Sequence, residues 1–295
     1  MALASSALIA QTKDLDLVIR HVLAGLGHGI HAGRERGAGV EFSEYRAYAP
    51  GDEWRRVDWK LLARADRYYV REAERDSHVA VWLLLDASAS MSEPSHSVEG
   101  LDKLSYARAL LGCVAAIAQR QGDAFGLVVL RDGAVQFTPA ARGPRQLQRV
   151  LAQMSRADAA GSLPEAEVLR SSLHFARSPS VLFAASDLLD WPSPLSEALV
   201  RLRHMQHDVR ALCLQTQAEC EASFEAGPAY RDPEQEEGVF AFDAAARETY
   251  RRNRDAHFAT VKAECRQHDI PLTTARIEQP PGEVLRMWLR QPRRA

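Results

Sequence analysis

Val79-Ala80-Val81-Trp82-Leu83-Leu84-Leu85, followed at once by Asp86-Ala87-Ser88-Ala89-Ser90, is the stretch whose reading decides the fold. An unbroken apolar run too short for a buried helix, ending in a polar loop, suits a strand covered on both faces. Val181-Leu182-Phe183-Ala184-Ala185, ending at Ser186-Asp187, repeats the pattern about a hundred residues later. Between and beyond these runs the periodicity alternates. A helix is expected from about Leu101, with Leu104, Ala107, Leu111, Val114 and Ala118 on one face, then strands at 125–130 and 134–138. Helices near 145–154 and 164–176 precede the second buried strand. A helix at 194–205, a strand at 209–214, a charged helix at 244–268, a strand at 272–277 and a helix at 283–289 follow it. Strands alternating with helices imply crossover connections and an α/β fold with a doubly wound, mainly parallel sheet.

Outside this frame the texture differs. Leu15, Ile19, Val22, Leu26 and Ile30 recur at helical spacing until the glycines at 25, 27, 29 and 33 weaken the helix. Residues 33–76 are dense in Arg, Glu, Asp, Tyr and Trp around a Pro50-Gly51-Asp52 turn and read as short strands and turns, with strand-like stretches at 40–48 and 68–72. The expected organisation is an N-terminal region, 1–77, holding this helix and this block, the block packed on a main domain at 78–295. An acidic, Pro/Gly-punctuated excursion is expected near 215–243.

Composition excludes several classes. With 37 basic against 39 acidic side chains and a formal charge of -2, no positive excess favours nucleic acid or anionic lipid as a partner. Cys113, Cys213, Cys220 and Cys265 form no C-x-x-C pair, which argues against a zinc ribbon or a disulfide framework. No apolar run reaches the length of a membrane span, and the first residues lack the basic start of a secretion signal, so a cytoplasmic location is expected. Arg46, Arg55, Arg56, Arg64 and Arg71 interleave with aromatics as on nucleic-acid surfaces. Glu41, Glu44, Asp52, Glu53, Asp58 and Glu72 stand among them, however, and favour an internal ion-pair network.

In open α/β sheets ligands sit beyond the carboxyl ends of the strands, where strand order reverses. Asp86, Ser88 and Ser90 alternate in the loop after the first buried strand, so one carboxylate and two hydroxyls can turn toward one point; Asp187 can bring a second carboxylate from the other strand. Such hard oxygen donors suit Mg²⁺ or Mn²⁺. The spacing alone fits equally well a helix cap and a closed turn.

The run Asp86-Ala87-Ser88-Ala89-Ser90-Met91 resembles the D-x-S-x-S metal-ion-dependent adhesion site of von Willebrand factor A domains. The block from Gly37 to Asp52, Gly-Ala-Gly-Val-Glu-Phe-Ser-Glu-Tyr-Arg-Ala-Tyr-Ala-Pro-Gly-Asp, resembles the signature of the domain of unknown function 58 family. Arg55-Arg56-Val57-Asp58-Trp59-Lys60, Ala63-Arg64 and Val70-Arg71-Glu72 continue it. The resemblance implies a Rossmann-like von Willebrand A fold acting as partner of a MoxR-type AAA ATPase that remodels or matures client protein complexes. It also implies a divalent metal held by Asp86, Ser88 and Ser90 from the first loop and Asp187 from the third. Where the second loop of such sites offers Gly-Thr, this chain has Gly161-Ser162, so Ser162 is the candidate there.

The competing reading is a metal-dependent phosphatase or hydrolase of the α/β class, since Asp after a central strand also begins such sites. Those resemble D-x-D, and Ser88 stands where the second, acid/base Asp would be. Neither G-x-S-x-G nor G-x-x-x-x-G-K-[ST] occurs, and a non-enzymatic interaction module is the expectation. His28 with His31 and His204 with His207 read as surface or capping histidines rather than zinc ligands.

Overall fold

The computed structural model describes residues 3–12, 14–30, 44–47, 69–72, 80–173, 179–224, 229–231, 239–241 and 244–290. The chain divides into two units, Arg34–His78 and the remainder. Of the first unit, two antiparallel strands are described, β1 (Glu44–Ala47) and β2 (Tyr69–Glu72), with Tyr45 opposite Arg71 and Arg46 opposite Val70. The rest of that signature block, and the expected packing of the block on the main domain, lie outside the described residues.

The second unit is built on a six-stranded sheet of β3 (Val81–Asp86), β4 (Phe125–Arg131), β5 (Ala134–Ala141), β6 (Val181–Ser186), β7 (Asp208–Gln215) and β10 (Leu272–Arg276), in the order β10-β7-β6-β3-β4-β5. Every pairing is parallel except that of the edge strand β5 with β4. β3 lies at the centre with all its residues buried. Because successive side chains leave a strand on opposite faces, Leu83 and Leu85 enter one core and Trp82 and Leu84 the other. Fully burying each of these leucines contributes about 1.5–3 kcal/mol.

One face is covered by α1 (Leu3–Gln11), α2 (Leu15–Ile30), α3 (Lys103–Gln121), α4 (Pro144–Arg156) and α9 (Pro281–Arg290); the other by α5 (Ala166–Ser172), α6 (Pro194–His204) and α8 (Ala244–Gln267). α3 begins at a capping box, in which the Asp102 carboxylate accepts from the Ser105 amide at 2.6 Å, and stops at Gly122 in the left-handed region, φ 78°. The short α7 (Gln217–Glu221) and the hairpin of β8 (Ala229–Arg231) with β9 (Val239–Ala241) occupy the expected excursion. The two N-terminal helices, which the sequence groups with the 33–77 block, belong to this α/β unit. Val18, Ile19, Val22 and Leu23 are buried in its core, and Ile19 lies against Gly112 of α3. Among the described residues no helix is long and apolar enough to cross a membrane.

Close packing makes one glycine decisive. A Cβ on Gly126 of β4 would lie 2.3 Å from the Trp82 ring and 2.8 Å from the backbone oxygen of Thr138, and Trp82 is itself stacked on Phe137 with centroids 5.3 Å apart. Gly126→Ala is therefore expected to lower stability by about 1–2 kcal/mol through overpacking. Urea denaturation checks this; an unchanged midpoint would show that the indole yields without cost.

Candidate functional site

The order of strands reverses between β3 and β6: the chain leaves β3 for β4 on one side and β6 for β7 on the other. Their carboxyl ends therefore open a crevice, and the loops that follow fill it. Register pairs Leu85 with Ala185, so Asp86 and Ser186 emerge side by side.

Asp86 is 1% exposed, and both its oxygens are engaged. Oδ1 accepts the Ser88 amide at 2.9 Å, which closes the loop as an Asx turn, and Oδ2 accepts the Ser186 hydroxyl at 2.6 Å. Ser88 and Ser90 hydroxyls lie 3.2 Å apart, Ser88 buried and Ser90 half-buried. Burial, and after it the charge of Asp187, push the Asp86 carboxyl up to about 6, against the opposing hydrogen bonds from Ser186 and Ser88. An acid so raised at a strand end is what a carboxylate facing a second acid in low dielectric must do.

Asp187 is held from several sides. The Cys213 thiol donates to its backbone oxygen at 3.4 Å, and the next residue, Leu188, takes a left-handed backbone at φ 55°. Leu188 is fixed there by its amide donating to the Ser186 hydroxyl and by its carbonyl, 2.8 Å from His257 Nε2 of α8. A bulky residue in that conformation persists only because its surroundings over-determine it.

The sequence reading did not find the group that faces Asp187. Lys103, at the start of α3, has no exposed surface; its ammonium donates to Asp187 Oδ2 at 3.0 Å and to Glu219 Oε1 at 2.6 Å. Burial alone would depress this amine, but the charges of Asp187 and Glu219 outweigh it and hold it above the ordinary lysine range. Glu219 is fixed in turn by the capping box of α7, its Oε2 accepting the Thr216 amide at 2.6 Å and its amide donating to Thr216 Oγ1 at 3.1 Å. Glu93 lies close enough to feel this cluster. Burial and the Glu219 charge push its carboxyl up.

The second loop comes to the first by backbone alone. The Ala89 amide donates to the Gly161 oxygen at 2.8 Å and the Ala160 amide to the Ala87 oxygen at 3.0 Å. Gly161 has φ 61° and a Cβ there would lie 2.5 Å from Asp132 Oδ1, so only glycine fits. Ser162 beside it is exposed. The structure thus gathers Asp86, Ser88, Ser90 and Asp187 at one strand end, and anchors the 160–162 loop next to them without engaging the Ser162 side chain in the cluster.

Among the described residues no group of three or more His, Cys, Asp or Glu side chains is gathered as a metal site. An ion here would rest on the Asp86 carboxylate and the serine hydroxyls, with Asp187 beside them. That donor set, all hard oxygen with a raised and buried acid at its centre, fits a small divalent cation. His207, expected at the surface, is buried, and its Nδ1 accepts the Ser180 amide at 3.1 Å; it is a packing element at the foot of β6.

Uncharacterised proteins of Mycobacterium tuberculosis and Mycobacterium bovis are 29% identical over 282 residues, covering 92% of this chain and 86% of theirs. Among solved structures, the conserved hypothetical protein BatB of Bacteroides thetaiotaomicron is 12% identical with a TM-score of 0.42, covering 72% of this chain and 100% of that one. The VWA domain of SpRpn10 is 10% identical with a TM-score of 0.42, covering 71% of this chain and 94% of that one. The sheet order with its one antiparallel edge is that of a doubly wound, mainly parallel α/β fold. A sequence model described as "Protein of unknown function DUF58" matches residues 44–260, well over half of the length, and the chain belongs to that family.

Proposed function

We propose that the protein is a metal-dependent interaction module, without catalytic activity of its own, that serves a MoxR-type AAA ATPase in remodelling or maturing a client protein complex. The observation that carries the metal part is the buried Asp86 carboxylate, set beside Asp187 and ringed by the Ser88 and Ser90 hydroxyls. Asp86, Ser88 and Ser90 would hold Mg²⁺ or Mn²⁺, with Ser162 approaching from the second loop and the Asp187 charge beside the ion from the third. Bound there, the ion would supply an electrophilic position able to take a carboxylate oxygen from a partner.

Around it the chain's own residues do the arranging. Ser186 and the Ser88 amide orient Asp86; Leu188 and His257 fix the third loop; the backbone bonds to Gly161 and Ala160 clamp the second loop to the first. Two hydroxyls in place of further carboxylates leave more positive charge on the ion, and this favours an acidic partner group. A hydrolytic role has less support, since Ser88 stands where an acid/base carboxylate would be needed. The ATPase partnership rests on the resemblance of the 37–72 block and the D-x-S-x-S loop to that family.

Capture of a MoxR-type ATPase by wild type and Asp86→Ala, with Mg²⁺ and with chelator, tests this. Capture is expected to fall about tenfold, equivalent to 1.4 kcal/mol, on either chelation or substitution. Equal capture in all four samples would mean that recognition uses another surface.

A further inference from the structure

Lys103 is the cation already present at this site, and its placement bears on how the site would treat a metal ion. Its ammonium lies between Asp187 and Glu219 with both bonds short and the side chain fully buried. Buried ammonium groups held by two charge-assisted hydrogen bonds do not exchange partners readily, because leaving either carboxylate would strand two charges in low dielectric. Asp187 Oδ2 is thereby occupied. Its Oδ1 is only loosely engaged, 3.4 Å from the Leu189 amide. Glu219, on the far side of the ammonium, is pinned by Thr216 and cannot follow Asp187 if it moves.

We propose, building on the metal-site reading above, that Lys103 is a positioning residue that locks Asp187 away from direct ligation and so keeps the bound ion poorly neutralised and receptive to a partner's carboxylate. The geometry supports this. The ammonium ties up one of the two Asp187 oxygens and, with Glu219 fixed on it, restrains where the carboxylate can turn. Metal affinity is given up for electrophilicity, a role that groups beyond the direct ligands commonly play in metal sites.

The test uses the full chain and Mn²⁺ alone, followed by electron paramagnetic resonance of the free ion. Lys103→Met/Glu219→Gln removes one positive and one negative charge together, so the formal charge of the cluster is kept while Asp187 is released. The double variant is expected to bind Mn²⁺ about tenfold more tightly than wild type, the gain of one additional carboxylate contact worth 1.4 kcal/mol. Glu219→Gln alone, which keeps the lock, should stay within about threefold of wild type. A folded double variant that binds Mn²⁺ equally or more weakly overturns the lock, since mere loosening of the structure cannot tighten a site. If wild type shows no saturable Mn²⁺ binding that Asp86→Ala removes, it is the metal site itself that is wrong, and the inference goes with it.

Should the double variant not fold, wild type decides. In ¹⁵N-labelled protein the buried Lys103 Nζ resonance is expected to remain protected from solvent exchange when Mg²⁺ is added. Loss of that protection would show that the ion draws Asp187 out of the lock and would overturn the proposal.

Discussion

Lys103→Met alone is expected to destabilise the protein by about 3–5 kcal/mol, the cost of removing one partner from a buried ion cluster. Methionine fills nearly the same volume, so the loss is not one of packing. What remains is Asp187, 3% exposed, and Glu219, itself largely buried, with no cation between them and the Asp86 charge still coupled to Asp187. Unbalanced acids in a low-dielectric space are an arrangement proteins avoid strictly. Urea denaturation at pH 7 in chelator measures the effect. Glu219→Gln should cost less, because the amide oxygen can still accept from the ammonium and Asp187 still balances it, the loss being the bond that Oε2 accepts from the Thr216 amide. A loss below about 1 kcal/mol for Lys103→Met would mean that water reaches the cluster and screens it.

Asp86→Asn is expected to act in the opposite direction and to make the metal-free protein more stable at pH 7, by about 2–3 kcal/mol at 1.36 kcal/mol per pKa unit. The sign follows from proton binding. Asp86 ionises at about 6 in the fold against 3.8 for an ordinary aspartate, so between those values the folded state holds the proton more firmly than the unfolded chain. Stability contributed by this group is therefore greatest below the lower value, declines as pH rises through the window, and is fully lost above the upper one. The neutral amide escapes that penalty. Its advantage should accordingly shrink as the pH is taken from 7 to 4, and denaturation curves at pH 4, 5, 6 and 7 would show it. Saturating Mg²⁺ should stabilise wild type and leave Asp86→Asn unmoved, since only a ligand bound by the folded state shifts the balance. A variant less stable than wild type at pH 7 without metal would contradict the charge reading of Asp86.

Much of this architecture could be read in the chain because its central strands are covered on both faces. Val79–Leu85 and Val181–Ala185 have no polar residue to alternate, and the structure pairs Val81–Leu85 with Val181–Ala185 at the sheet centre. The loops that follow carry Asp86, Ser88, Ser90 and Asp187 to one place because strand pairing leaves them no other. Short elements escaped, since α7, β8 and β9 span too few residues to display a period. Helix α1 escaped because the apolar and polar residues of Leu3–Gln11 are spread around the helix and form no one-sided stripe.

Lys103 was missed for a different reason. It heads a row with Ala107, Leu110 and Val114, all buried, and a lysine in line with an apolar stripe is the one local sign that its charge is internal. Its partners stand 84 and 116 residues away in the chain, and no spacing rule reaches that far. Ser186, next to a residue that was singled out, was passed over because its hydroxyl points back to Asp86 and not into the loop that carries Asp187.

The backbone clamp between the first and second loops divides the tolerance of neighbouring positions very unequally. Gly161 is confined by its conformation and by Asp132, and Ala89 and Ala160 contribute main-chain atoms that any residue could supply. Ser162 is exposed, and what its neighbourhood asks of it is a main-chain oxygen for the Gly133 amide, at 3.0 Å. The side chain at 162 can thus be exchanged without shifting either loop, so a change there would test its contribution to the ion apart from the scaffold. For the same reason it is the position at which a library could retune the rim of the site while the scaffold stays fixed.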